Sequence, residues 1–594
     1  MRAPASRSGL RALSRAAGGL VLFSILPVAA TAAGDIPAVP AQERPVVGTS
    51  WREQAEADLV AAHRLIEQAH PGMLEPDPAF HAWRTRGFRQ AMALARQADT
   101  EARAWTALRF YAAGYQDGHL AVWRERPPSG GARWAGWNVQ SRSGKYLVTR
   151  SAAQWRSALP RVGDELLSCD DVPVRDWLGS RVAPYVDRRA LDAARSHVAL
   201  HLTNQWPNEQ PWRVAPPARC TVRTTAGRTQ DIPLTWQDSF EGLTRWRAET
   251  PPQGVTAPSG SIRWIHASDF MTEDGERLSA FLAEIATIGA ADEVRAVVLD
   301  TRGNNGGNAM VGFRVLQALL KERTPADDGA SKATWRVSGI ARDALVERLA
   351  MAARLEGADG PTLRLVAELL RGMNEALARG DATLPQPDDT PAQDPRPEGR
   401  AFGGQLVLLT DSHCASACLD FADLVRRVPG VMHAGLPTSG DTRYMDITVR
   451  QLPSGASLAL PLKVWRGRPR GDNEPLVPRF PYAGDIGDTA AVQAWVRDKV
   501  LPHAQGIAPN DPVTAWSVRA PRGYRRREFL VKRYTPWGVN ATPHLQAGWA
   551  HSAHRIRFPF EAPKSPARLA ASPTRLRPRR WIQLATEVSI QGMS

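Results

Sequence analysis

Past its first thirty residues the chain has no apolar run of the roughly 20 residues that a membrane-spanning helix needs, so nothing there reads as an anchor. Cysteine is scarce, with only Cys169, Cys220, Cys414 and Cys418 in 594 residues. Their spacing matches no structural zinc cluster, and His413 with Cys414 and Cys418 lacks a fourth ligand, so no metal is expected. Phosphate-cradling signatures are missing too: no Gly-Lys-Ser/Thr closes a Walker loop and no GxGxxG follows a strand. Acidic residues are absent from 1–33 and sparse in 505–594. Those two ends contribute +4 and +11 to the formal charge of +15, which leaves 34–504 neutral. A neutral body has no electrostatic footprint for a phosphate backbone, so nucleic acid is not expected as its partner.

What is present is ordinary globular composition, 43% hydrophobic and 23% charged, over a length that calls for several domains. Arg2, Arg7, Arg11 and Arg15 precede the apolar stretch from Gly18 to Ala30, and Ala30-Thr31-Ala32 follows as a small-x-small exit. These are the parts of a secretory signal, which predicts residues 1–33 as a signal peptide, cleavage near Ala32, and a periplasmic or secreted protein without a lipid anchor. An even number of cysteines suits an oxidising compartment. Four cysteines allow three pairings, and the sequence does not choose among them.

Five regions follow the signal's logic of composition and period. Residues 44–133 carry apolar residues at spacings of three and four (Ala55, Leu59, Ala62, Leu65, Ile66; then Trp105, Leu108, Ala112), which predicts a small helical domain broken at His70-Pro71-Gly72. Residues 134–236 read as a compact β-rich domain with a helix over Val174–Tyr185. Residues 237–504 alternate strands (Ile262–Ile265, Ala296–Leu299, Leu406–Leu409) with helices (Leu278–Ile288, Met310–Leu320, Ala417–Arg427), the pattern of an α/β layered sheet. An insertion, 325–400, carries a helical hairpin over Ala341–Arg379 on a flexible Pro/Asp-rich stem. Residues 505–594 read as a basic, mostly irregular tail.

The sharpest local signal is Asp300-Thr301-Arg302-Gly303-Asn304-Asn305-Gly306-Gly307, where a buried strand enters a glycine turn ahead of a helix. Bare N–H groups there suit a phosphate or a developing oxyanion, while Asp300 and Arg302 brace the turn. The second signal is Ser416-Ala417 at another helix start, between small neighbours. This places a hydroxyl beside a free N–H, the arrangement a nucleophile with an oxyanion donor needs; an N-cap serine is the plainer reading. Cys414 and Cys418 flank it, as a local disulfide or as two core thiols, and Cys169 with Cys220 can staple the β-rich part.

These residues, with Gly435-Leu436-Pro437-Thr438-Ser439-Gly440 and the segment Asp117-Gly118-His119, resemble the tail-specific (C-terminal processing) and tricorn-core serine peptidases of clan SK. The resemblance spans about Arg44 to Val500. It implies a crotonase-like α/β core, a PDZ-like domain in which Gly136-Trp137-Asn138-Val139 binds a peptide carboxylate and Val162-Gly163-Asp164-Glu165-Leu166-Leu167 forms a strand, and a serine-type endopeptidase acting on protein or peptide substrates without a cofactor. One departure matters. The processing peptidases place a lysine after Thr-x-Gly, and here Asp441 stands in that position; a carboxylate cannot act as a neutral amine base. The tricorn type remains: Ser416 as nucleophile, His119 as base, Gly306 or Gly307 with Ala417 as oxyanion hole, and Asp472 or Glu474 as the orienting carboxylate. That type's serine before the histidine is absent, because Gly118 stands there. Two other readings keep the fold: a catalytically inactive peptide-binding protein, and a hydrolase of small esters or amides.

Overall fold

The computed structural model describes residues 50–506, save 125–131, 206–215, 240, 245–249, 271–274, 326–329, 357–360 and 388–398, together with four three-residue strands between 528 and 557. The expected signal peptide therefore lies outside the described residues, as does most of the basic tail. The tail is not wholly irregular, since Glu528–Leu530 pairs with Arg555–Arg557 and Arg533–Thr535 with Gly538–Asn540. No helix among the described residues is long and apolar enough to cross a membrane.

The chain opens on three helices. Ser50 and Glu53 form a capping box at the start of Trp51–Ala69, and His70-Pro71 ends that helix because proline cannot donate to the ladder. Pro78–Ala95 and Glu101–Ala113 follow, capped by Asp77 and Thr100. Their apolar stripes (Leu59, Ile66, Ala91, Leu108, Tyr111) meet in one core. Leu345, Leu369 and Met373 from the inserted hairpin belong to that same core. The hairpin expected there is thus packed into the body, while most of its Pro/Asp-rich stem, 388–398, lies outside the described residues. The hairpin helices Gly339–Glu356 and Pro361–Arg379 are flanked by strands Lys332–Arg336 and Thr383–Pro385, which pair with each other. Lys332–Arg336 also pairs with Ser457–Arg466, so apolar burial and a β-ladder fix the insertion to the body.

The β-rich part is an antiparallel sheet in the order Trp137–Arg142, Lys145–Ser151, Glu165–Cys169, Arg219–Arg223, Thr229–Pro233. The helix expected over Val174–Tyr185 is broken into Val174–Arg181 and Ala183–Val186, since Pro184 has no N–H to continue it.

The 237–504 part is built on a six-stranded sheet. Strands Ile262–His266, Ala296–Asp300, Gln405–Thr410, Met432–Gly435 and Phe480–Pro481 run parallel, and Gly254–Ser259 adds an antiparallel edge. All five residues of Ala296–Asp300 are buried, as expected for a parallel strand covered on both faces. Helices Gly275–Thr287, Ala309–Leu320 and Ala417–Val425 cover one face through Phe281, Val315, Leu319 and Phe421. Trp264, Val298, Val407, Ile486, Val492 and Val496 fill the other. The turns after Asp300 and Thr410 thus leave adjacent parallel strands at the same end of the sheet, where α/β folds place their sites.

Candidate active site

The Asp300 turn is built on buried polar bonds. Arg302, fully buried, makes a bidentate pair with Asp300 (Nη2 to Oδ2 2.7 Å, Nε to Oδ1 2.9 Å) and donates to Ile486 O at 2.8 Å. Asn304 donates to Ala267 O at 2.6 Å and accepts the Gly306 N–H at 2.8 Å. Gly306 and Gly307 have φ of +103° and +129°. A β-carbon on Gly306 would stand 2.7 Å from Ala415 O, 2.8 Å from Ser416 Cβ and 3.0 Å from Ala417 N, so only glycine lets the two turns close on each other. Because Asn304 takes the Gly306 N–H, the donor left for an oxyanion on this turn is Gly307, which no described acceptor engages.

The second turn carries Ser416 at the start of helix Ala417–Val425. Its backbone lies at φ +55°, ψ −127°, a region an L-residue occupies only under constraint, and its side chain makes no capping bond. An N-cap serine would sit in extended geometry and accept an amide hydrogen, so the plainer reading does not describe it. A serine held on a sharp strand-to-helix turn, with its hydroxyl unspent, is the geometry of a nucleophile elbow. Cys414 and Cys418 are disulfide-bonded across it, and Cys169 pairs with Cys220 in the β-rich sheet. Asp411 ties the two turns together: its carboxylate accepts Gly303 N–H at 3.0 Å and His413 N–H at 2.9 Å, and meets His413 Nδ1 at 3.1 Å. Burial would raise its pKa, but His413 and these hydrogen bonds outweigh that and hold it below the ordinary value.

Residues 261–473 match the model of peptidase family S41. That stretch of the chain is similar to the S41 peptidases. In fold, the chain is similar to mature CPAF, at 15% identity and a TM-score of 0.57, covering 77% of this chain and 98% of that one. The structure of mature CPAF complexed with lactacystin gives the same figures with 99% of that chain covered, and a CPAF mutant gives 13% identity and a TM-score of 0.58, covering 78% and 99%. A search of curated proteins finds none that matches.

His119 approaches the parallel-sheet part from the helical part. Glu101–Ala113 ends at Gly114, Gln116 takes a left-handed φ of +54°, and Asp117 Oδ1 accepts the His119 N–H at 2.9 Å. Ala121 O then accepts from Ala459 N, and Val122–Trp123 joins strand Ser457–Arg466, which stitches the segment to the body. His119 is buried, and its Nδ1 has no hydrogen-bond partner. The one carboxylate within 4 Å of its ring among the described residues is Asp117, at 3.9 Å from Nδ1. No hydrogen bond joins His119 to Ser416 among the described residues. The two expected carboxylates are placed differently. Asp472 is committed to Arg443 (2.6 Å) and Arg468 (3.7 Å), and Glu474 accepts from Gly471 N–H at 2.6 Å. Their loop does reach the His119 segment, since Asn473 Nδ2 donates to Gln116 O at 2.9 Å.

Two features escaped the sequence. Asp117 is a buried hub: besides the His119 N–H it accepts Thr442 Oγ1 at 2.8 Å and lies 3.4 Å from His70 Nε2. Burial opposes its charge, while His70 and His119 favour it and hold its pKa below the ordinary value. Asp441, in the position of the family lysine, is buried against Arg468 (3.0 Å) and Arg470 (3.3 Å). Against the cost of burial, these arginines keep it ionised. Arg470 continues to Asp420 at 2.8 Å and to Asp423, both on the helix that begins at Ser416. A charged network therefore occupies the lysine's place. Only the number of carboxylates and arginines hinted at it, and their pairing spans some fifty residues of chain.

Gly136, Trp137, Asn138 and Val139, expected to bind a peptide carboxylate, meet a different arrangement. All four are buried. Asn138 Nδ2 donates to Gly242 O at 2.9 Å, and the open edge of their strand is closed by helix Asp192–Thr203, where Ser196 Oγ accepts the Ser141 N–H at 2.9 Å. Ser196 thus takes the Ser141 N–H on the strand's outer edge. No group of His, Cys, Asp and Glu among the described residues could hold a metal ion.

Proposed function

We propose that this S41 protein is an exported serine-type peptidase with a crotonase-like core, in which Ser416 is the nucleophile and His119 its base. The observation that carries the reading is the constrained Ser416 backbone closed against Gly306. His119 Nε2 takes the Ser416 hydroxyl proton as Oγ bonds to a peptide carbonyl. The Gly307 and Ala417 N–H groups hold the oxyanion. The C–N bond then breaks, His119 returns the proton to the leaving amine, and water releases the acyl group by the same steps. Asp117 fixes the segment that bears His119. Asp472 or Glu474 remains the orienting carboxylate of this reading, and their loop reaches the His119 segment through Asn473, while Asp117 is the carboxylate nearest the imidazole's Nδ1 side. Two disulfides and the arginine-led N-terminal stretch support export.

The test is intact-mass analysis after treatment with a fluorophosphonate probe. One adduct on wild type, lost in Ser416→Ala and in His119→Ala, is the expected result. No adduct on correctly folded wild type would give way to the peptide-binding reading, and adducts with turnover of small esters but not peptides would favour the small-substrate hydrolase.

A further inference from the structure

Ser416 needs something to hold it in a backbone region that its residue type disfavours. Its neighbours Ala415 and Ala417 are L-residues with no conformational licence to offer, and the Ser416 side chain makes no bond that could hold it. The feature that encloses the turn is the Cys414–Cys418 bridge, four residues apart and centred on Ser416. Cross-linking so short a loop constrains the unfolded chain much less than the 51-residue span closed by Cys169–Cys220, so global stability is not its main product. Both sulfurs are fully buried in the core that includes Leu419, Phe421 and Ala422, where two thiols would be tolerated as small apolar groups. The turn it clamps is pressed against Gly306 with no spare room.

We infer that the Cys414–Cys418 disulfide is a positioning device for the nucleophile: it keeps the Ser416 turn in its left-handed conformation, in register with the Gly307 and Ala417 N–H groups, so that acylation depends on the oxidised bridge. This rests on the serine-peptidase reading. A dithiol reductant opens the bridge with two electrons and two protons. The S–S bond breaks, two thiols form, and the dithiol closes to its own disulfide. The turn then relaxes toward ordinary φ, and the hydroxyl leaves register.

The test compares fluorophosphonate adduct rates, and kcat and KM on a peptide substrate, for oxidised wild type, for Cys414→Ala with Cys418→Ala, and for Cys169→Ala with Cys220→Ala. The first pair is expected to label about ten- to a hundredfold more slowly, with kcat lowered and KM unchanged. The second pair is expected to label at the wild-type rate while melting at a lower temperature. A first pair that labels at the wild-type rate overturns the inference. Wild type treated with dithiothreitol, its open thiols mapped by alkylation, gives an independent measure: labelling lost with the 414–418 bridge and regained on reoxidation supports the inference, and unaltered labelling overturns it. Wild type that takes no adduct at all overturns the serine reading and this inference with it.

Discussion

The turns after Asp300 and after Thr410 leave neighbouring parallel strands at one end of the sheet, yet they are held by opposite means. The first is soft in sequence, with three glycines, and is made rigid by buried polar bonds from Arg302 and Asn304. The second has no glycine at its apex, and it forces a serine into glycine's territory with a disulfide and the Asp411 carboxylate around it. A turn that only donates N–H groups can use glycine. A turn that must present a hydroxyl cannot, so the constraint has to come from outside the residue.

The contrast breaks most sharply at Ser416→Gly. Removing the side chain and relieving φ +55° should abolish the fluorophosphonate adduct while raising stability by about 1 kcal/mol, measured by denaturant unfolding. Next comes Gly306→Ala, which puts a methyl group within 3 Å of the serine turn. It should lower kcat about a hundredfold with the serine still present. Asp411→Ala leaves the Gly303 and His413 N–H groups without their buried acceptor, and should cost about 2 kcal/mol of stability in the same unfolding assay.

A last contrast separates the two turns by pH, with no effect at neutral pH and one that grows only on acidification. His433, on the strand beside Thr410, bonds Thr410 Oγ1 at 2.9 Å, and burial pushes its pKa down to about 3. The unfolded chain takes up that proton near pH 6.5, so stability should fall as pH drops below 6.5, by up to about 1.4 kcal/mol per pH unit for this group. His433→Phe should flatten that limb. Asp300, on the other turn, is held below its ordinary pKa because Arg302 and His266 outweigh its burial. Its contribution is present above about pH 4 and is lost only as pH falls below it. A melting-temperature series from pH 7 to 3 on wild type, His433→Phe and Asp300→Asn distinguishes the two.

The strands and helices of the sheet were legible because their apolar periods are long and unbroken. Ala296–Asp300 and Gln405–Thr410 extend the expected strands by one or two residues only. Helix continuity was harder to read: Pro184 interrupts what apolar spacing alone would join, and the inserted hairpin's anchoring depends on strands too short to stand out. The peptide-carboxylate loop was not legible from sequence for a different reason. Gly136–Val139 has the right local pattern, but whether a strand edge is open depends on what packs beside it, and here helix Asp192–Thr203 does.

From the sequence alone came the period of the sheet, the glycine turn, the serine at a helix start, the histidine after a helical segment, and the lysine's replacement by Asp441. All of these are local, written within a dozen residues. The tertiary structure alone decided which glycine N–H is free, that Ser416 is held in a left-handed conformation, that the cysteines pair 169–220 and 414–418, and that Arg468 and Arg470 neutralise Asp441. Each of those depends on groups brought together across the chain, where burial strengthens every charge and hydrogen bond and makes an unpaired one costly.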